Sequence, residues 1–131
     1  MVGICVASMF YIEHLRVLDA APAIEPLLHL RPLILSQPIA FRRMCHYQIE
    51  FDSNSRLRDE VISDLMSLNH LPSANSLDLI ILTPKVTDKA LPTLLRMTTV
   101  DILDVRESAI SDKGIAQLTQ ALTKTSVLTR K

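Results

Sequence analysis

Residues 103–115 read Leu-Asp-Val-Arg-Glu-Ser-Ala-Ile-Ser-Asp-Lys-Gly-Ile, and two hydrophobic periods follow one another along them. Leu103 and Val105 alternate with charged residues, which is the period of a strand with one buried face. After Asp112, apolar residues recur at positions 115, 118 and 121, a spacing that places them on one face of a helix or a tight helical turn. The stretch therefore predicts one strand followed by one helix.

The same pattern occurs 24 positions earlier in the chain. Val-Thr-Asp-Lys-Ala-Leu at 86–91 corresponds to Ile-Ser-Asp-Lys-Gly-Ile at 110–115. The same shift aligns three further pairs of aliphatic residues, Leu79 with Leu103, Ile81 with Val105, and Leu94 with Leu118. Similarity of a chain to itself at a fixed period of this length is typical of repeat proteins.

A third unit lies upstream, with Asp59 at the position of Asp88 and Asp112. Its strand is supplied by Ile49-Glu50-Phe51, and Leu57 is the single aliphatic residue that follows. The residues three, six and nine positions after the aspartates are Ile62, Leu65 and Leu68 in this unit, Leu91, Leu94 and Met97 in the next, and Ile115, Leu118 and Ala121 in the last.

The spacing between the first two units is not constant. A frame through Asp64 would keep it constant, but that frame puts Ser67 and His70 at the apolar positions. We therefore prefer an insertion of about five residues within Asn69–Ser76, a stretch rich in turn-forming residues.

The hydroxyl residues before two of the aspartates are placed to begin helices. Thr87 and Ser111 can each accept a hydrogen bond from a free N–H of the first helical turn. Asp88 and Asp112 then lie at the positive end of the helix dipole, where a carboxylate is favourable. These aspartates are predicted to be helix caps and not catalytic groups.

Two residues modify the predicted helices. Gly114 permits close packing and implies no chemistry. Pro92 lacks the N–H that an early helical hydrogen bond requires, so the helix after Asp88 is expected to be short or partly of the 3₁₀ form.

The unit at 103–118 resembles a repeat of the leucine-rich-repeat family, closest to the ribonuclease-inhibitor-like and cysteine-containing subtypes. The resemblance is good over 79–122 and fair over 49–68. It implies a short α/β solenoid, with parallel strands on one side and helices on the other, and it implies protein partners. The sequence departs from the family pattern where Asn or Cys is usual, because Ser108 and Pro84 stand there and Asn54 alone follows the family. Some loops are therefore expected to be less rigid than in a regular member.

The chain divides into two parts at about residue 47. Residues 1–47 are predicted to form a helical N-terminal cap or a degenerate repeat, built from short helices and turns. Two sets of residues there keep helical spacing: Met9, Ile12 and Leu15, and then Ile24, Leu27, Leu30 and Leu33. Residues 48–131 hold about three repeats. The last repeat runs into an incomplete unit that starts near Val127, so the chain is either a fragment or has an open C-terminal end that a partner or a second copy covers.

The composition favours one soluble globular domain of 131 residues, 48% of them hydrophobic. Leucine contributes 21 residues and aromatic residues only 4%, which suits thin repeated layers. Because 14 basic side chains balance 14 acidic ones, nucleic acid and anionic membranes are not expected partners.

The cysteines and the N-terminal apolar run bear on location. Cys5 and Cys45 form no disulfide framework, and Val2–Phe10 is too short to span a bilayer and makes a poor signal peptide. We expect a cytoplasmic protein.

The residues with catalytic potential form no recognisable motif. The four histidines lack metal-ligand spacing, the two glycines lie outside any phosphate-binding loop, and no nucleophile has a base nearby in sequence. Arg42-Arg43 is too short for a nucleic-acid patch. We therefore predict no catalytic residues, no metal, no cofactor and no enzymatic activity.

The remaining candidate is the outer, concave face of the strands. If the aliphatic pairs of each strand point inward, their neighbours form rows on this face. The predicted binding residues are Glu50, Asp52, Ile80, Leu82, Asp104 and Arg106. Exposed aliphatic residues within a charged border are typical of a protein-binding surface, which predicts a non-catalytic interaction module.

Three alternatives stay open. The N-terminal segment could fold over these rows and bury them. The chain could be a structural fragment of a longer repeat protein or an assembly subunit, and an enzyme is the third and last alternative.

Overall fold

The computed structural model describes residues 20–38, 45–72 and 75–129. Short helices alternate with strands along these ranges. The α-helices are α1 (Ala21–Ile24), α2 (Leu91–Leu94) and α3 (Asp112–Ala121); the 3₁₀ helices are Glu25–Leu30, Asp59–His70 and Asp88–Ala90; and the strands are β1 (Leu33–Pro38), β2 (Cys45–Phe51), β3 (Ser76–Ile81), β4 (Ile102–Asp104) and β5 (Ser126–Leu128).

The five strands form one sheet in the order β1-β2-β3-β4-β5. Each of β2, β3, β4 and β5 is parallel to its neighbour in this series, whereas β1 is antiparallel to β2. Ile49 pairs with Leu79, Leu79 with Leu103, and Leu103 with Val127. The prediction of an α/β chain with parallel strands joined through helices is confirmed, and the register equals the alignment obtained from the sequence.

The helices pack on one side of this sheet. The inward residues of β2, β3 and β4 are buried together with most of the residues at the predicted intervals, among them Leu65, Leu94 and Leu118. Leu91, also expected inside, is only partly buried. Ser67 and His70 are not in this core, which supports the frame through Asp59. Ala121, expected inside, is exposed, since it lies in the last turn of α3.

The N-terminal part differs from the expectation. Ile24, Leu27 and Leu30 are buried in helical turns, but Leu33 begins strand β1 and is half exposed. The prediction that Leu33 continues the helical series is therefore wrong, because Arg31 takes a left-handed conformation (φ 58°) that ends the 3₁₀ helix. Position 47 lies inside β2.

Several predicted features fall outside the described residues. They are Met9, Ile12 and Leu15, the Val2–Phe10 run, Cys5, and the Arg42-Arg43 pair. In the described ranges no helix is both long and apolar enough to cross a membrane.

The helix-capping hydroxyls behave as predicted. Thr87 Oγ1 accepts a hydrogen bond from the Lys89 N–H at 3.3 Å, and Ser111 Oγ accepts from the Gly114 N–H at 3.1 Å. Helix α2 has only four residues, with Pro92 near its start and a 3₁₀ turn before it, as the proline predicted.

The aspartates have a further role that the sequence did not reveal. Asp88 accepts hydrogen bonds from the N–H of Ser111 at 2.7 Å and from its hydroxyl at 2.6 Å. In the same way Asp59 accepts from Thr87, at 2.9 Å from the N–H and 2.6 Å from the hydroxyl. These side chains therefore join one unit to the next. The two bonds from Ser111 hold the pKa of Asp88 below its ordinary value.

Buried hydroxyl side chains hold the loops that follow the strands. Ser108 donates to the Val105 carbonyl at 2.7 Å, and Ser55 donates to the Asp52 carbonyl at the same distance. Asn54, the residue that followed the family pattern, is exposed. Serine therefore supplies the loop hydrogen bonds where asparagine was expected.

Candidate functional site

The face of the sheet opposite the helices, which we call the outer face, carries three rows of side chains. Strand pairing places residues from different strands side by side in each row. The first row contains Leu33, Glu50, Ile80, Asp104 and Leu128; the second contains Leu35, Gln48, Asp78, Ile102 and Ser126; and the third contains Gln37, His46 and Ser76. Aliphatic residues from four of the five strands thus share one face with several acidic residues.

The structure brings the six predicted residues to this region in two groups. Glu50, Ile80 and Asp104 are direct neighbours in the first row. The other three, Asp52, Leu82 and Arg106, come two residues later in each unit, where the strands end. The Leu82 N–H still donates to the Phe51 carbonyl at 2.8 Å, which continues the strand pairing there.

The exposure of these residues differs from the expectation. Ile80 and Leu82 are partly buried, whereas Leu33 and Leu35 are each 50% exposed and Leu128 is 38% exposed. The sequence prediction missed these three leucines. Alternation at 33–37, where Leu33 and Leu35 flank the buried Ile34, was the signal that could have identified the strand.

Asp104 is not available as a free carboxylate on this face. It is only 3% exposed, and Arg106 donates to its two oxygens from Nε at 3.0 Å and from Nη2 at 2.8 Å. Desolvation alone would raise the pKa of Asp104, but the hydrogen bonds and charge of Arg106 prevail and lower it. The same contact raises the pKa of Arg106. The two residues form a fixed ion pair at the border of the face.

His46, Ser76 and Asp78 form a hydrogen-bonded group across β2 and β3. His46 Nδ1 lies 2.5 Å from Ser76 Oγ, and its Nε2 lies 3.1 Å from Asp78 Oδ2. These are the residue types of a hydrolytic triad. An acyl-transfer site also needs N–H donors directed at the substrate carbonyl oxygen, but the N–H that follows Ser76, that of Leu77, already donates to Asp101 at 2.8 Å. The group therefore fits a structural clamp between two strands better than a catalytic site.

The inward side of β2 carries the described cysteine. Cys45 is buried, and burial raises the pKa of its thiol. Its neighbour Tyr47 is also buried, and burial together with the Cys45 contact raises the pKa of that phenol. A thiol in this state is a poor nucleophile. Among the described residues there is no group of three or more His, Cys, Asp or Glu side chains that could hold a metal ion.

Comparisons of this chain with protein-family models, with curated proteins and with solved structures find no match. The outer face is therefore the feature of the molecule that bears most directly on function. Its distinguishing property is a set of exposed leucines beside acidic side chains.

Proposed function

We propose that the chain is a non-catalytic protein-interaction module that binds a partner through the outer face. The observation that carries this proposal is the exposure of Leu33 and Leu35, each 50%, which together with Leu128 are the exposed large hydrophobic residues in the part of the chain that the structure describes. Large aliphatic side chains grouped on one face beside polar groups are a feature of protein-binding surfaces.

We further propose that the chain is a short leucine-rich-repeat solenoid of the ribonuclease-inhibitor-like or cysteine-containing type. Three observations support this. Successive units align at one strand position, Ile49 with Leu79 and Leu79 with Leu103. Each unit passes from a strand to a helical segment, and the buried residues of both belong to one hydrophobic core. An aspartate of one unit binds a hydroxyl residue of the next, as Asp59 binds Thr87.

The chemistry of the face indicates the kind of protein partner it fits. Covering the exposed halves of Leu33 and Leu35 would contribute roughly 1 kcal/mol each, half of the value for a fully buried leucine. Glu50, in the same row as Leu33, forms no ion pair with any described residue. A complementary surface would therefore present an apolar centre and a cationic residue opposite Glu50.

Site-specific photo-crosslinking in cells tests this proposal. A photoreactive amino acid at position 35 lies on the outer face, and one at position 116 lies on the exposed side of α3 and serves as a matched control. We expect position 35 to crosslink one partner protein that position 116 does not, and Leu33→Glu to remove that crosslink while the circular dichroism spectrum stays unchanged. Identical crosslinks from both positions, or a crosslink that survives Leu33→Glu, would refute the proposal.

The alternative is a structural fragment of a longer repeat protein or an assembly subunit. The observation that favours it is the last unit, where Val127 is only partly buried and Leu128 is 38% exposed. An apolar edge of this kind can be covered by a further unit or by a second copy. This alternative predicts that the isolated chain self-associates or unfolds with weak cooperativity in urea. A sharp urea-unfolding transition of a chain that sediments as a monomer would reject this alternative.

The remaining features of the proposal are an absence of enzymatic activity, cofactors and nucleic-acid or membrane partners, together with a cytoplasmic location. The balance of 14 basic and 14 acidic side chains supports the absence of nucleic-acid and membrane partners. The two cysteines, 40 positions apart, support the location.

A further inference from the structure

A pocket of about 370 Å³ lies away from the outer face, among the loops that follow β2 and β3. It is lined by His29, Leu30, Ser55, Arg56, Arg58, Val61 and Lys85. Three of these residues are permanently cationic, a fourth is a histidine, and none is acidic. In a chain with no net charge, so many basic side chains around one cavity are a local excess.

The two arginines of the pocket are directed outward by the burial of the residue between them. Residues 56–58 follow β2 without helical structure, and Leu57 is fully buried whereas Arg56 and Arg58 are exposed. Neighbouring residues of an extended segment point to opposite sides. Arg56 and Arg58 therefore both face away from the core, toward the same side.

The backbone around the pocket is fixed by hydrogen bonds. The Arg56 N–H donates to the Leu30 carbonyl at 2.7 Å, which joins the loop after β2 to the end of the N-terminal 3₁₀ helix. Ser55 is anchored through the Asp52 carbonyl, and the Lys85 N–H donates to Thr83 Oγ1 at 3.3 Å. The backbone that carries these cationic side chains is thus already ordered before a ligand binds, which reduces the entropy lost on binding.

The nearby carboxylates neutralise only part of this charge. Glu60 lies 3.4 Å from Arg58, in a pair whose side chains are both largely exposed, so the attraction between them is weak. Asp64 accepts from His29 at 3.1 Å. Arg56 and Lys85 form no ion pair with any described residue. Two cations therefore remain available to an anion.

We propose that this pocket binds a phosphate monoester. A doubly charged tetrahedral group offers acceptor oxygens in several directions, and arginine and lysine donors converging from two loops match it better than a singly charged carboxylate. The volume, at the low end for small-molecule sites, suits one phosphate group with a small carrier. The carrier is either a small metabolite or a phosphorylated side chain.

Titration of the 131-residue chain with phosphate compounds tests the proposal. The probe is inorganic phosphate at constant ionic strength, followed through the amide signals of Arg56 and Lys85 by NMR. We expect saturable binding with a Kd of about 1 mM, the order typical of a small ligand held by few contacts. Glycerol phosphate and a phosphoserine pentapeptide, compared in parallel, distinguish a metabolite from a phosphorylated protein as the source, and tighter binding of either one supports the site.

A matched pair of double variants gives the decisive comparison. Arg56→Gln with Lys85→Gln should raise the Kd at least about tenfold, because the two cations that form no ion pair with a described residue are both lost. Arg96→Gln with Lys124→Gln removes the same charges at exposed positions outside the pocket and should change the Kd less than about twofold. All four residues are exposed, so neither variant should disturb the fold. The proposal is overturned if wild-type chain gives no saturable shift, if the pocket variant keeps its affinity, or if both variants lose affinity equally.

Discussion

Gly114→Ala should destabilise the chain, although alanine is the better helix former. In an unhindered helix interior, replacing glycine by alanine raises the free energy of unfolding by about 1 kcal/mol. A Cβ atom at position 114, however, would lie 2.8 Å from Ile110 Cγ2, 2.8 Å from Asp88 Oδ1 and 3.0 Å from Leu91 Cδ1. Carbon atoms in favourable contact are about 3.5–4.0 Å apart, so several neighbours would have to move together.

The magnitude follows from which neighbours can move. Ile110 is fully buried, and Asp88 Oδ1 is the atom that accepts the Ser111 N–H at 2.7 Å. Moving the carboxylate would lengthen a bond between two units. Overpacking of this kind typically lowers stability by about 1–3 kcal/mol. Because three neighbours would have to move together, we expect a cost in the upper part of this range, about 2–3 kcal/mol. After the gain in helix propensity of about 1 kcal/mol is subtracted, the expected net loss is about 1–2 kcal/mol.

Urea unfolding followed by far-ultraviolet circular dichroism measures this change. Ala116→Gly, at an exposed position of the same helix, reports the propensity effect alone and should lower the free energy of unfolding by about 1 kcal/mol. In addition, Asp88→Ala should be less harmful in the Gly114→Ala background than in wild type, since the two changes disturb one contact. A Gly114→Ala variant more stable than wild type would refute the close packing at this junction.

Three further predictions concern acid stability, thiol reactivity and backbone strain. The pKa of Asp88 in the folded state lies below the ordinary value of 3.8. Asp88 therefore contributes stability that is present above pH 3.8 and is lost as the pH falls through the folded-state pKa. Asp88→Asn should make the free energy of unfolding decline less steeply with falling pH, and an unchanged slope would contradict this. In a Cys5→Ser background, Cys45 should react with Ellman's reagent only at the rate of unfolding, since it is buried with a raised pKa; rapid labelling of native chain would disprove it. Arg31 has a φ of 58° and should tolerate replacement by glycine, because the relief of about 1–2 kcal/mol of left-handed strain exceeds the entropy cost of glycine, about 0.5–1 kcal/mol. Arg31→Val should instead lower the urea midpoint. A higher midpoint for Arg31→Val than for Arg31→Gly would exclude strain at this position.

The sheet register could be predicted from the sequence because each unit contains two different periods. The alternation of Leu79 and Ile81 defines a strand, and the intervals of three after Asp88 define a helical face. Aligning the units by both features gives the pairing of β3 with β4 without knowledge of the structure. Strand β1 could not be found in this way, because it occurs once and pairs antiparallel, so no repeat identifies it.

The candidate site was less predictable than the fold. Alternation correctly assigned Ile80 and Asp104 to the outer row, but it says nothing of how much neighbouring side chains cover them. The coverage of Asp104 depends on Arg106 turning back toward it, and the exposure of Leu33 and Leu35 depends on the position of β1. Both are properties of the assembled sheet and not of a local sequence pattern.

The side-chain bonds between units suggest how stability is distributed along the chain. Asp59 binds Thr87 and Asp88 binds Ser111, and other polar side chains also bridge units, as when Asp101 accepts from the N–H of Leu77 in the preceding strand. Each of these bonds reaches only the adjacent unit. In such an array the free energy of a unit depends on its own packing and on the interfaces with its neighbours. A substitution at one junction should therefore weaken the two units that meet there, and at the Asp88 junction, next to Gly114, these are the units that begin with β3 and β4.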